Sequence, residues 1–182
     1  MTRPLFFVAI SVFLAFISRK SLVRPRSHGF PRFFAWESLT ALFLLVVPRW
    51  IDRWNSPRQL VSWFLITLSA YFALRGAYLL RTLGKPDPGR IGRELFPFER
   101  TSRLVDAGLY RYVRHPLYAS LLFLAWGLYL KVPAWPELGL SLFASLFLVR
   151  ASIADEIECA AHFGDAYRAY MKGTRRFIPF LI

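Results

Sequence analysis

Apolar residues in this chain gather into long unbroken runs instead of alternating or keeping to one side of a helix. The runs extend from Pro4 to Ser18, Phe33 to Trp50, Leu60 to Leu80, Leu117 to Val132 and Ala134 to Val149. Each is near or slightly below the roughly 20 residues that carry a helix across a bilayer. The pattern therefore predicts an all-α, multi-span transmembrane helix bundle of about five spans. Arg19 and Lys20 follow the first run directly, with no small-x-small cleavage site between, so it reads as a retained anchor and not a signal peptide. Arg81 to His115 is the longest polar interval, and its GKPDPGRIG stretch, Gly84 to Gly92, is the Pro-Gly punctuation of a loop. The chain divides there into an N-terminal three-span unit, residues 1–80, and a second part, residues 81–182, made of the loop, a two-span hairpin and a C-terminal helix. That last helix is predicted from Ile153, Ile157, Ala160, Gly164, Tyr167 and Met171, which recur at helical spacing and form one apolar face.

Composition agrees with a membrane setting: 55% of the 182 residues are hydrophobic, 18% are aromatic and the mean hydropathy is +0.37. The net charge of +13 follows from the loops. Arg19, Lys20, Arg24, Arg26 and Arg32 crowd the first loop and eight Lys or Arg residues the third, whereas Lys131 stands alone in the fourth. Loops rich in Lys and Arg stay cytoplasmic, which predicts an outside N-terminus and a cytoplasmic C-terminus. Anionic lipid headgroups then account for the positive charge, and no nucleic-acid partner is expected. Cys159 is the only cysteine, and His28, His115 and His162 lack ligand spacing, so neither an internal disulfide nor a metal site is expected.

The candidate chemistry sits at two places. In YRYVRHPLY, Tyr110 to Tyr118, Pro116 suits the first turn of a helix. Arg114 and His115 then stand beside that helix's unpaired amides and positive dipole end, a setting for a carboxylate or phosphate. The bland alternative has Arg114 snorkelling, His115 capping the helix and the tyrosines forming an interfacial belt. The second place is Asp155, Glu156 and Glu158. On an ideal wheel Glu156 borders the apolar face and is the enclosed carboxylate, while rotation of the helix would bring Asp155 inward and Glu158 stays solvated. Glu37 and Arg75 lie within spans, as site candidates or as an ion pair or snorkelling charges. The aromatic Phe96-Pro97-Phe98 stretch lies in the long loop.

YRYVRHPLY, the acidic pair before Phe163-Gly164, then YRAYMK and FIPFLI, together resemble the isoprenylcysteine carboxyl methyltransferase family and its phospholipid methyltransferase relatives, from about Ser102 to the end. The resemblance implies that residues 81–182 are a methyltransferase core. It also implies S-adenosylmethionine as cofactor, held by Ser102, Arg103, Leu104, Val105, Tyr110, Arg114, His115, Pro116, Leu117 and Tyr118, and by Asp155 or Glu156. Arg150 would orient the acceptor and Glu156 would serve in catalysis. The acceptor would be lipidic, a prenylated cysteine carboxylate or a lipid amine, reaching the site sideways from the bilayer. The chain departs from the family pattern at Ala151 and Ile153, where arginines are common, at Asp155 in place of glutamate, and at Ser120 in place of glycine. A sterol-reductase-type membrane oxidoreductase using a nicotinamide cofactor is the alternative, since its C-terminal half looks similar. A non-catalytic membrane scaffold is a third.

Overall fold

The computed structural model describes residues 2–52, 54–85 and 99–179. Among these residues six α-helices follow one another: α1 (Thr2–Leu22), α2 (Gly29–Val46), α3 (Pro57–Leu83), α4 (Pro116–Lys131), α5 (Trp135–Phe163) and α6 (Asp165–Gly173). The multi-span helical membrane bundle expected from the apolar runs is what forms. Among the described residues the only β-type pairing is a single parallel bridge between Val113 and Arg175. The Phe96-Pro97-Phe98 stretch and most of the Gly84 to Gly92 turn fall outside the described residues.

Among the described residues four helices are long and apolar enough to cross a membrane: α1, α2 with its 3-10 extension to Arg49, α3 and α5. Of the five predicted runs the exception is α4, whose 16 residues span about 24 Å at 1.5 Å per residue, short of a roughly 30 Å hydrocarbon core. It lies instead against α3, α5 and α2, where Ala125 and Leu128 are buried. On its other flank Gly127 admits α3, because a Cβ there would stand 2.9 Å from the Ile66 side chain. Such small residues permit the close approach that membrane helices use in place of a hydrophobic drive. The same seam is bonded by polar groups: Ser62 Oγ donates to the Gly127 carbonyl at 2.7 Å and Gln59 Nε2 to the Lys131 carbonyl at 3.1 Å.

The second pairing sets α2 on α5, and α1 packs on α2. With Leu5, Phe6, Val12, Phe13 and Phe16 exposed, α1 turns an apolar side toward lipid. Both α3 on α4 and α2 on α5 join helices from opposite sides of the 80/81 division. A core of Ala35, Phe72, Tyr118, Ala119, Leu148 and Ala151 sits where they meet.

The C-terminal helix differs from its expected form. α5 runs unbroken from the membrane segment through the acidic residues to Phe163, and Gly164, at φ +62° and ψ −136°, ends it and starts α6. That conformation is open to glycine and strained for any other residue. The break lets α6 fold back, burying Tyr167.

Candidate functional site

The chain entering α4 is tied by main-chain bonds to the C-terminal strap, residues 174–179, that follows α6. Arg114 N–H donates to the Arg175 carbonyl at 2.7 Å, His115 N–H to Arg176 at 3.1 Å, and Arg175 N–H to Tyr112 at 3.0 Å. These bonds fix Arg114 and His115 against α5, where the acidic pair divides its duties. Glu156 is buried and surrounded by cations. Its carboxylate accepts from Arg114 Nε at 3.0 Å and from Arg176 at 3.1 and 2.7 Å, while His115 Nε2 stands 3.4 Å away. Arg114 also donates to the carbonyls of Met171 and Thr174. Glu156 therefore locks α5, the α4 entrance and the strap together and has little capacity left for a ligand.

Of the pair, Asp155 is the one that lines the cavity. The wheel favoured Glu156 as the enclosed one, and Glu156 is indeed the more buried, but arginines enclose it. Asp155 Oδ2 lies 3.4 Å from His115 Nδ1, and the Cys159 thiol approaches its Oδ1 at 3.6 Å. His115 is 5% exposed and makes no side-chain cap of α4. Burial works against its imidazolium, but the two carboxylates outweigh burial and raise its pKa above the ordinary value. Burial pushes the Tyr110 phenol well above its usual range, so it remains protonated, and its carbonyl accepts from Tyr170 Oη at 2.6 Å.

The cavity has a volume of about 290 Å³, at the low end for small-molecule sites. Of the residues expected to hold a cofactor, Leu104, Val105, Tyr110, Arg114, His115, Leu117, Tyr118 and Asp155 line it. Ser102 and Arg103 are exposed and lie off its wall, with Ser102 Oγ bonded to the Lys85 carbonyl. Pro116 is buried off the wall, close to Gly76. Arg150 is exposed and apart from the cavity, because α5 turns it outward.

Arg32 is the guanidinium that the charge pattern hid among loop cations. It is buried on the cavity wall, donates to both Glu99 carboxylate oxygens at 2.8 and 3.1 Å, and lies 5.0 Å over the Trp36 ring. The legible signal was an arginine four residues before a tryptophan at the head of an apolar run. Glu158, expected to be solvated, instead accepts from the His28 backbone N–H at 2.8 Å and meets His28 Nδ1 at 2.7 Å. Glu37 accepts from Ser11 Oγ at 2.6 Å and Arg75 lies over Tyr78, so they form no mutual pair, and neither reaches the cavity. Among the described residues no cluster of His, Cys, Asp and Glu could hold a metal ion.

Fold and site together define a multi-span helical membrane protein with a partly polar cavity between its helices. The chain is 29% identical over 150 residues to the Delta(14)-sterol reductase TM7SF2 of Mus musculus, covering 79% of this chain and 35% of that protein. It thus spans about a third of the length of the curated relative it matches. No family model and no solved structure matches. The resemblance to isoprenylcysteine carboxyl methyltransferases is overturned by this likeness, and the methyltransferase assignment with it. The physical reason lies in the motif itself. Arg114, Glu156 and the strap form a fold lock, and a lock of that kind does not specify which group is transferred.

Proposed function

We propose that the protein is a membrane oxidoreductase that reduces a carbon–carbon double bond of a lipophilic, sterol-like substrate with a nicotinamide dinucleotide. The observation that carries this reading is the likeness to a sterol reductase over most of the chain. The cavity's chemistry supports it. Trp36 on α2, Ala73 on α3 and Leu121 on α4 give its wall apolar surface, suited to a substrate arriving from the bilayer. Arg32, paired with Glu99 on the same wall, adds positive charge suited to the anionic parts of a dinucleotide. A cavity of this size takes the reactive end of such a cofactor and not the whole of it.

When bound, the nicotinamide supplies a hydride to one carbon of the double bond. The other carbon takes a proton, and His115 is suited to hold it. It is buried, stays protonated above the ordinary histidine range, and is oriented by Asp155 at 3.4 Å. Loss of that proton leaves a neutral imidazole, and Asp155 stabilises the imidazolium that must reform.

Titration calorimetry of the detergent-solubilised protein tests the cofactor assignment. NADPH is expected to bind at micromolar affinity and Arg32→Gln to weaken it severalfold. S-adenosylhomocysteine, the contrast ligand for the cofactor first expected, should give no heat. Binding of that ligand without NADPH would overturn the proposal.

A further inference from the structure

At the far end of α4 lies a second cavity, of about 450 Å³, lined by Arg49, Asp52, Arg58 and Lys131 with the Val132–Ala134 turn. It forms where the start of α3, the end of α4 and the start of α5 converge. Among the described residues, three cationic side chains and one carboxylate thus border it. Lys131 is the unusual one, being 1% exposed with an ammonium that has no hydrogen-bond acceptor among the described residues. The Trp63 ring lies 3.3 Å from Nζ and the Trp50 ring 5.1 Å. Cation–π attraction offsets part of the cost of burying the charge, but an ammonium has three donors and aromatic faces do not replace three acceptors. Glu137, buried in the first turn of α5, does not pair with it and itself leaves Oε2 unbonded among the described residues. The two arginines are exposed at the rim and form no ion pair with Asp52.

We propose that this cavity binds a phosphate-bearing anion, with Arg49 and Arg58 taking the phosphate oxygens at the rim and the buried Lys131 ammonium adding its positive charge from beneath the wall. Guanidinium groups match phosphate geometry in pairs, and a compact ammonium adds a point charge. The site lies at the opposite end of α4 from the His115 cavity and does not depend on the redox reading. Helix ends of a membrane bundle meet the headgroup layer, so the phosphate has two sources: a phospholipid headgroup or a soluble phosphate.

The test is thermal unfolding of the full chain in uncharged detergent with phosphatidylglycerol, diacylglycerol or inorganic phosphate added. At about a hundredfold excess over the dissociation constant, the bound anion should raise Tm by roughly 5–10 °C. A rise with phosphatidylglycerol but not diacylglycerol assigns a lipid headgroup, and a rise with inorganic phosphate assigns a soluble one. Either rise should disappear in Arg49→Gln/Arg58→Gln, whose exposed positions leave folding intact, and shrink in Lys131→Met. No rise with either phosphate, a diacylglycerol rise equal to that of phosphatidylglycerol, or an unchanged rise in the double variant would overturn the proposal.

Discussion

The two ends of α4 bury charge by opposite means. At the start, Glu156 is shared among Arg114, Arg176 and His115, so every charge has a partner within 3.4 Å. At the finish, the Lys131 ammonium leans on two tryptophans, with no acceptor among the described residues. A closed network makes structure, and a group with unused bonding capacity is where a ligand belongs. The same distinction separates neighbours at the first end: Glu156 is spent on the lock, whereas Asp155 and His115 still face the cavity.

The largest expected effect tests the closed network. Glu156→Ala leaves Arg114 and His115 buried without their counter-charge and should destabilise the protein by about 3–5 kcal/mol, read as a lower unfolding temperature in detergent. Arg176→Ala should cost less, because Arg176 is 28% exposed and solvent screens the loss. Equal losses would mean that the lock is not centred on Glu156. Next comes the seam that holds α4 in place. Gly127→Ala drives a methyl group toward Ile66 and should cost about 1–3 kcal/mol, whereas an unchanged melting point would show that α3 yields without cost.

The pH dependence is smaller and has a definite sign. His115 has a raised pKa in the folded protein, so its contribution is complete below the unfolded histidine value and is lost as pH rises through the folded one. Stability should therefore fall on going to alkaline pH. His28, raised by Glu158 against its burial, adds in the same direction. His115→Gln should flatten the curve partially, and a profile identical to that of the parent would remove the ion pairing from the account. The smallest effect is expected at Arg150, where Arg150→Ala should change stability by less than about 0.5 kcal/mol and leave cofactor affinity unaltered.

Much of the fold was legible because membrane helices are written in long apolar runs, and four of the five predicted runs correspond to helices of spanning length. α4 misled because the count of apolar residues does not reveal that the helix stops at Lys131 against protein. The Tyr110 to Tyr118 entrance and the acidic pair were visible as partners, and the structure does bring them together. The assignment within the pair was not legible, since a wheel gives direction but not which side carries arginines. Arg176 and Thr174 reach Glu156 and Arg114 only through the strap's return past residue 112. That is a long-range fold, which local spacing cannot encode. The chemistry was harder still, because the residues most resembling a methyltransferase signature largely build the lock.

The most direct test of the reductase reading is isotope transfer. Protein in liposomes would be incubated with a sterol 14-ene and NADPH deuterated at the nicotinamide C4, and the extracted sterol weighed by mass spectrometry. The account predicts a product heavier by one deuterium and one solvent hydrogen, formed more slowly as pH rises and strongly reduced in His115→Gln. Intact sterol in every reaction, with NADPH unconsumed over the same membrane's lipid extract, would contradict it.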